Sequence, residues 1–127
     1  MRSLDTNLLM RLAMQDDEQQ LAIVHQVMST PCWIGVTVIL ESWWVLTRIG
    51  NFTAAEAAAA MAIICAIEQA NVQHEDCVLW AAAKAAAGAD FADMLHLALS
   101  GGADAFTTFD KGIAAFADGS AVLVETL

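Results

Sequence analysis

The sequence is short of positive charge. Five Lys and Arg stand against fifteen Asp and Glu, for a formal net charge of −10. That balance excludes binding to nucleic acid through a broad basic face. It leaves open an acidic protein that meets phosphate through metal ions held by carboxylates. Cysteine is scarce too. Cys32, Cys65 and Cys77 are odd in number and lack CxxC spacing, which argues against a disulfide framework or a zinc site. They are expected to be reduced, mostly buried thiols. Long apolar runs are missing: the longest, Ala57 to Ile67, has 11 residues, against the ~20 a bilayer span needs. The N-terminus, MRSLDTNLLM, offers one Arg and then an acid before any apolar run. That is a poor signal peptide, so a cytoplasmic location without membrane association is expected. No Pro- or Ser-rich linker divides the chain, and no repeat of about 20 to 50 residues appears.

What is present is apolar text. Of 127 residues, 58% are hydrophobic, enough for the core of a single domain over residues 1–127 and for a face that covers a partner or a second copy. Met1 to Leu4 is a short start ending at Asp5. Asn7 to Met14 and Asp17 to Met28 carry helical apolar spacing. Pro31 ends the second helix and opens a β-like run centred on Trp33 to Val36. TVILESWWVLTRIG, from Thr37, is helical, with Gly50 as its stop. Thr53 and Glu56 form a T-x-x-E capping box for an alanine-rich helix reaching about Ala70. Val72 to His74 reads as a weak strand, and Asp76 to Ala87 as a helix stopped by Gly88. Asp90 caps a helix that ends at Ser100-Gly101-Gly102. Ala105 to Phe109 is a strand ending at Asp110, Gly112 to Phe116 a short helix, and Ala121 to Val124 a last strand. Strands alternating with helices predict an α/β fold with a mainly parallel sheet. Ligand chemistry in such folds gathers outside the carboxyl ends of the strands.

Most acids have bland readings as solvated charges or helix-start acids. Glu56 belongs to its capping box, and Asp104, after Gly-Gly, to a turn. Asp5, Glu41, Asp93 and Asp110 interrupt apolar text, and Asp90 lies one turn before Asp93 on the same helix face. A buried, unpaired carboxylate costs several kcal/mol, and few cations are available to pair with these acids. A divalent metal is therefore their simplest common partner. All-oxygen ligands favour Mg²⁺ or Mn²⁺, and the matching chemistry is metal-assisted hydrolysis of a phosphodiester.

LDTN at residues 4 to 7, the TVILESWWVL helix, GADFADMLHLAL and TTFD together resemble the PIN-domain family, in particular the toxin ribonucleases of VapBC-type toxin–antitoxin pairs. The resemblance covers nearly the whole chain. It implies a PIN-like three-layer fold, with a short, mainly parallel central sheet flanked by helices. It implies an Mg²⁺-dependent endoribonuclease with an RNA substrate, a small antitoxin as partner and a homodimeric state. Asp5, Glu41, Asp93 and Asp110 would be catalytic carboxylates and metal ligands. Asp90 is either a fifth ligand or only a helix cap. Thr6, Asn7 and Thr108 would orient the carboxylates by hydrogen bonds.

Other residues are expected to play structural parts. His25, His74 and His96 form no cluster in sequence, although His96 lies one turn beyond Asp93. Trp33, Trp43, Trp44 and Trp80 could stack on RNA bases, but are read as core or subunit-contact aromatics. Met10, Met14, Met28, Met61 and Met94 fill core gaps, and the SGG turn lacks the continuation of a phosphate loop. Two other functions compete. One is a degenerate PIN domain that serves as a protein-binding or regulatory module. The other is a phosphatase of the haloacid-dehalogenase type, which requires a second Asp where this chain has Asn7.

Overall fold

The computed structural model describes residues 1–127. Its elements are β1 (Arg2–Ser3), α1 (Thr6–Met14), α2 (Glu18–Val27), β2 (Cys32–Ile34), α3 (Val36–Arg48), α4 (Ala54–Cys65), β3 (Ala70–Val72), α5 (Glu75–Ala86), α6 (Phe91–Ala98), β4 (Ala105–Thr108), α7 (Lys111–Ala114) and β5 (Leu123–Thr126). This is the α/β alternation expected, with every strand pairing parallel, and it is consistent with a PIN-like three-layer fold. The strands form two sheets rather than one, β1-β2-β3 and β4-β5.

The first sheet reaches the core. In β2, Cys32 and Ile34 are fully buried while Trp33 between them is exposed, the alternation a pleated strand imposes. The ladder continues past β1, with the Leu4 N–H donating to the Trp33 carbonyl at 2.9 Å. Leu4 is itself buried, so Asp5 emerges where the chain leaves the sheet. The buried side chains form one continuous cluster from Leu4 to Val122. The second sheet is shallower: no residue of β4 is fully buried, and Phe109 and Leu123 beside it are exposed.

Several boundaries differ from the sequence reading, including β5, which runs Leu123–Thr126 rather than Ala121 to Val124, and α7, Lys111–Ala114 rather than Gly112 to Phe116. The alanine-rich helix α4 stops at Cys65 rather than near Ala70, and β3 begins at Ala70 rather than Val72. Register decides this, since Ala70, Asn71 and Val72 pair with Cys32, Trp33 and Ile34. His74 then turns into the left-handed region, at φ 53°, to start α5. Gly50 has a steric role after α3: a Cβ there would lie 2.6 Å from Met14 Cε and 2.9 Å from the Leu46 carbonyl. The left-handed residue of that turn is Asn51, at φ 56°.

Candidate metal and nuclease site

Three of the five singled-out acids begin helices. Asp5 caps α1, its Oδ1 accepting from the Leu8 N–H at 3.4 Å. Asp90 caps α6, accepting from the Asp93 N–H at 2.9 Å. Asp110 caps α7, accepting from the Gly112 N–H at 2.7 Å. Each has extended backbone angles, as a residue about to enter a helix must. A carboxylate that caps commits one oxygen and keeps the other. Asp90 thus acts as a cap, and its second oxygen remains available.

Asp90, Asp93 and Asp110 line one cleft of about 190 Å³, with Gly88, Ala89, Met94, Gly112, Ile113 and Phe116 around them. Two elements make the convergence: α6 supplies its cap and its first turn, and β4 delivers Asp110 two residues past its end. Thr108 assists, its Oγ1 accepting from the Asp110 N–H at 3.0 Å. Gly112 allows the close approach, because a Cβ there would lie 3.1 Å from Asp110 Oδ1. Asp93 is half-buried. Partial burial, then the charges of Asp90 and Asp110, push its carboxyl above its ordinary pKa, while His96 pulls the other way. His96 is exposed on α6 and near enough to act on that charge.

Glu41 and Asp5 do not line the Asp93 cleft. Glu41 is exposed on α3, off the stripe of Ile39, Ser42, Trp43 and Leu46 that faces the core. It lines a larger cleft, about 630 Å³, between α3 and the start of α6, and Asp90 borders this cleft as well. Asp5 lines a third, of about 290 Å³, with Asn7, Arg11 and Gln20; Thr6, the first residue of α1, is buried. The expectation that these acids are buried without partners is corrected. Asp5, Glu41, Asp90 and Asp110 are exposed, because caps sit where helix N–H groups meet solvent and the helical period turns Glu41 outward.

A hard divalent cation suits this donor set in kind, since every ligand offered is a carboxylate oxygen. It also suits the charge: three acids share the Asp93 cleft and no Lys or Arg lines it. The shell is not preassembled, however, for no three His, Cys, Asp or Glu side chains stand close enough to hold an ion as they are placed. The caps explain part of this, since one oxygen each of Asp90 and Asp110 points to its own helix.

Sequence reasoning weighed Trp44 for base stacking and set it aside, and it passed over Arg48. Both line the Glu41 cleft, and Trp44 is exposed, so of the reading of the tryptophans as core or subunit-contact residues the core half does not hold for it. A signal was available: Thr37, Glu41, Trp44 and Arg48 recur at the spacing of one helix face.

The PIN domain family model matches residues 3–119, and the chain belongs to that family. Neither the curated proteins nor the solved structures give a match. Membership supports a nuclease-type, hydrolytic function: PIN nuclease domains bind RNA and typically use divalent metal ions. No helix is long and apolar enough to cross a membrane.

Proposed function

We propose that the protein is a metal-dependent endoribonuclease, folded as a single domain over residues 1–127 and acting in the cytoplasm as the toxin of a type II toxin–antitoxin pair. The observation that carries the nuclease reading is the cleft in which Asp90 and Asp110 crowd the half-buried Asp93. The toxin role, the homodimer and the small antitoxin rest on the sequence resemblance of LDTN, TVILESWWVL, GADFADMLHLAL and TTFD.

Asp93, Asp110 and the second oxygen of Asp90 would hold Mg²⁺ or Mn²⁺, with Glu41 and Asp5 bordering from adjoining clefts. A bound ion of this kind lowers the pKa of water and offsets charge developing on a phosphodiester. The chain's own contribution is positional. The Asp93 N–H fixes Asp90, and Thr108 fixes the backbone of Asp110. Asn7 shares the Asp5 cleft, where its amide can orient that carboxylate, and Thr6 anchors the same turn from the core. Partial burial, then the charges of Asp90 and Asp110, raise the pKa of Asp93, and a bound cation would act in the opposite direction.

The test uses purified protein, free of antitoxin, with cellular RNA and Mg²⁺, beside the same reaction in EDTA and with Asp93→Asn. Cleavage that requires both the metal and Asp93 is expected. A folded protein that never cuts RNA under these conditions would falsify the reading. A regulatory, protein-binding PIN domain is the second reading. It is favoured by the lack of a preassembled ligand shell and by the separate cleft of Asp5. Saturable Mn²⁺ binding that Asp93→Asn abolishes separates the two readings, because a regulatory module needs none.

A further inference from the structure

The second sheet ends in an edge that no strand covers. β5 pairs with β4 alone, and the Leu127 N–H donates to the Thr108 carbonyl at 2.9 Å. Backbone groups alternate in direction along a strand. Leu123, Glu125 and Leu127 therefore face β4, while the N–H and C=O groups of Val124 and Thr126 face the open side. At Val122 that side is already closed. The Ser120 hydroxyl accepts from the Val122 N–H at 3.2 Å and donates to the Val122 carbonyl at 2.9 Å. The backbone groups of Val124 and Thr126 are what remains for another chain. The side chains beside them form a pattern. Leu123 is 79% and Leu127 62% exposed, with exposed Glu125 between them on the same face. Glu125 stands in register with Thr107 and accepts from its hydroxyl at 2.9 Å. It meets no cation, since the only salt bridge in the chain joins Arg11 to Asp16. Phe109, just past β4, is exposed too and extends the apolar surface.

We propose that the open edge of β5 docks an extended segment of another protein as a third strand, with apolar residues beside Leu123 and Leu127 and a Lys or Arg opposite Glu125. Strand addition of this kind draws affinity from main-chain hydrogen bonds and specificity from alternate side chains. The two exposed leucines lie on β5 or directly after it, so its edge rather than that of β4 offers the apolar flanks. Charge selects the occupant. A second copy would pair β5 with β5 about a twofold axis. Using the groups of both Val124 and Thr126 sets each Val124 against the Thr126 of the other copy, and so Glu125 directly against Glu125. Like charges in that position are destabilising, whereas opposite charges stabilise. The net charge of −10 favours a basic partner as well. The proposal needs neither the metal nor the nuclease.

The experiment titrates the full chain with capped synthetic peptides that alternate Leu and Thr around a central Lys or Glu. Each peptide reads the same in both directions, so strand polarity does not matter, and EDTA keeps the result separate from the nuclease reading. Amide NMR reports the site. With Lys at the centre, saturable shifts and slowed hydrogen exchange are expected at Val124 and Thr126. The Glu125 and Leu127 amides, already turned to β4, should keep their exchange rates. Glu at the centre should weaken binding about fivefold or more, and Glu125→Lys should reverse that preference. Glu125 is exposed, so circular dichroism of this variant should match the parent. Thr126→Pro removes an edge-facing donor and no bond to β4, and should weaken binding about fivefold. Where that proline disturbs the sheet, the charge reversal alone decides. No saturable binding, equal affinity for the Lys and Glu peptides, or shifts centred away from β5 overturns the proposal. So does protection of Val124 and Thr126 that grows with protein concentration in the absence of peptide, which would seat a second copy on the edge.

Discussion

Asp93 and Asp5 both stand at the start of a helix, Asp93 in the first turn of α6 and Asp5 as the cap of α1, yet their surroundings differ. Asp93 is half-buried and shares its cleft with two other carboxylates that resist its ionisation. Asp5 is exposed, and its cleft contains Arg11 and an amide, Asn7, instead of further acids. Asp5 leaves β1 of the first sheet and Asp110 leaves β4 of the second, and no ladder joins β1 to β4. A carboxylate at a helix start thus becomes part of an acid cluster only where another element brings a further acid to it. At Asp93 that element is β4.

The largest effect expected is on catalysis. Asp93→Asn should reduce metal-dependent RNA cleavage by about 10²-fold or more, because it would remove a proposed ligand from a charge-stabilising centre worth several kcal/mol. Asp5→Asn should cost no more than about tenfold, in the range of an outer contact. Equal losses in a cleavage assay would mean that substrate or ion draws Asp5 into the cluster, and the contrast would collapse.

Stability against pH comes next. The pKa of Asp93 is higher in the folded than in the unfolded chain, so the folded state binds that proton more tightly. Stability therefore falls as pH rises through the window between the ordinary and the raised value. Asp93→Asn should raise the thermal midpoint at pH 7 in a chelator, with the gain gone by about pH 3. Mn²⁺ should raise the midpoint of the parent but not of the variant. A variant no more stable than the parent at pH 7 would show that neither burial nor the neighbouring carboxylates penalise the Asp93 charge.

Capping separates the roles of Asp90. Asn caps as well as Asp, so Asp90→Asn should leave stability unchanged and weaken Mn²⁺ binding, whereas Asp90→Ala should also cost about 1 kcal/mol in denaturant melts. Asp5→Ala should cost less than that, since its capping bond is longer, 3.4 Å against 2.9 Å. The smallest change is on the buried side of α3. Ser42 Oγ is buried without a hydrogen-bond partner, so Ser42→Ala should be neutral or stabilising by up to about 1 kcal/mol, read as an unchanged or raised melting temperature.

Much of the fold was legible in local signals. The Thr53–Glu56 capping box is present with both of its hydrogen bonds, Asp90 caps its helix, and strands and helices alternate as expected. Where β3 begins was not legible, because its register is set by pairing with β2, far away in sequence. The site was legible in part. Asp93 and Asp110 were singled out as acids that ought to meet, and they share a cleft. The burial assigned to the acids was wrong. Apolar neighbours in sequence were read as apolar neighbours in space, although a helix at Glu41 and caps at Asp5, Asp90 and Asp110 turn those side chains outward.

The sequence by itself determined what depends on near neighbours: the parallel α/β alternation, the caps, the faces of each helix and the order of the acids. Tertiary structure alone decided which acids share a cleft, that the strands divide into two sheets, and that Trp44 is exposed beside Arg48 while Trp43 is stacked and buried. Short-range periodicity fixes the direction of a side chain relative to its own element. The distance between two side chains far apart in sequence depends on how whole elements pack, and that is settled only when the core closes.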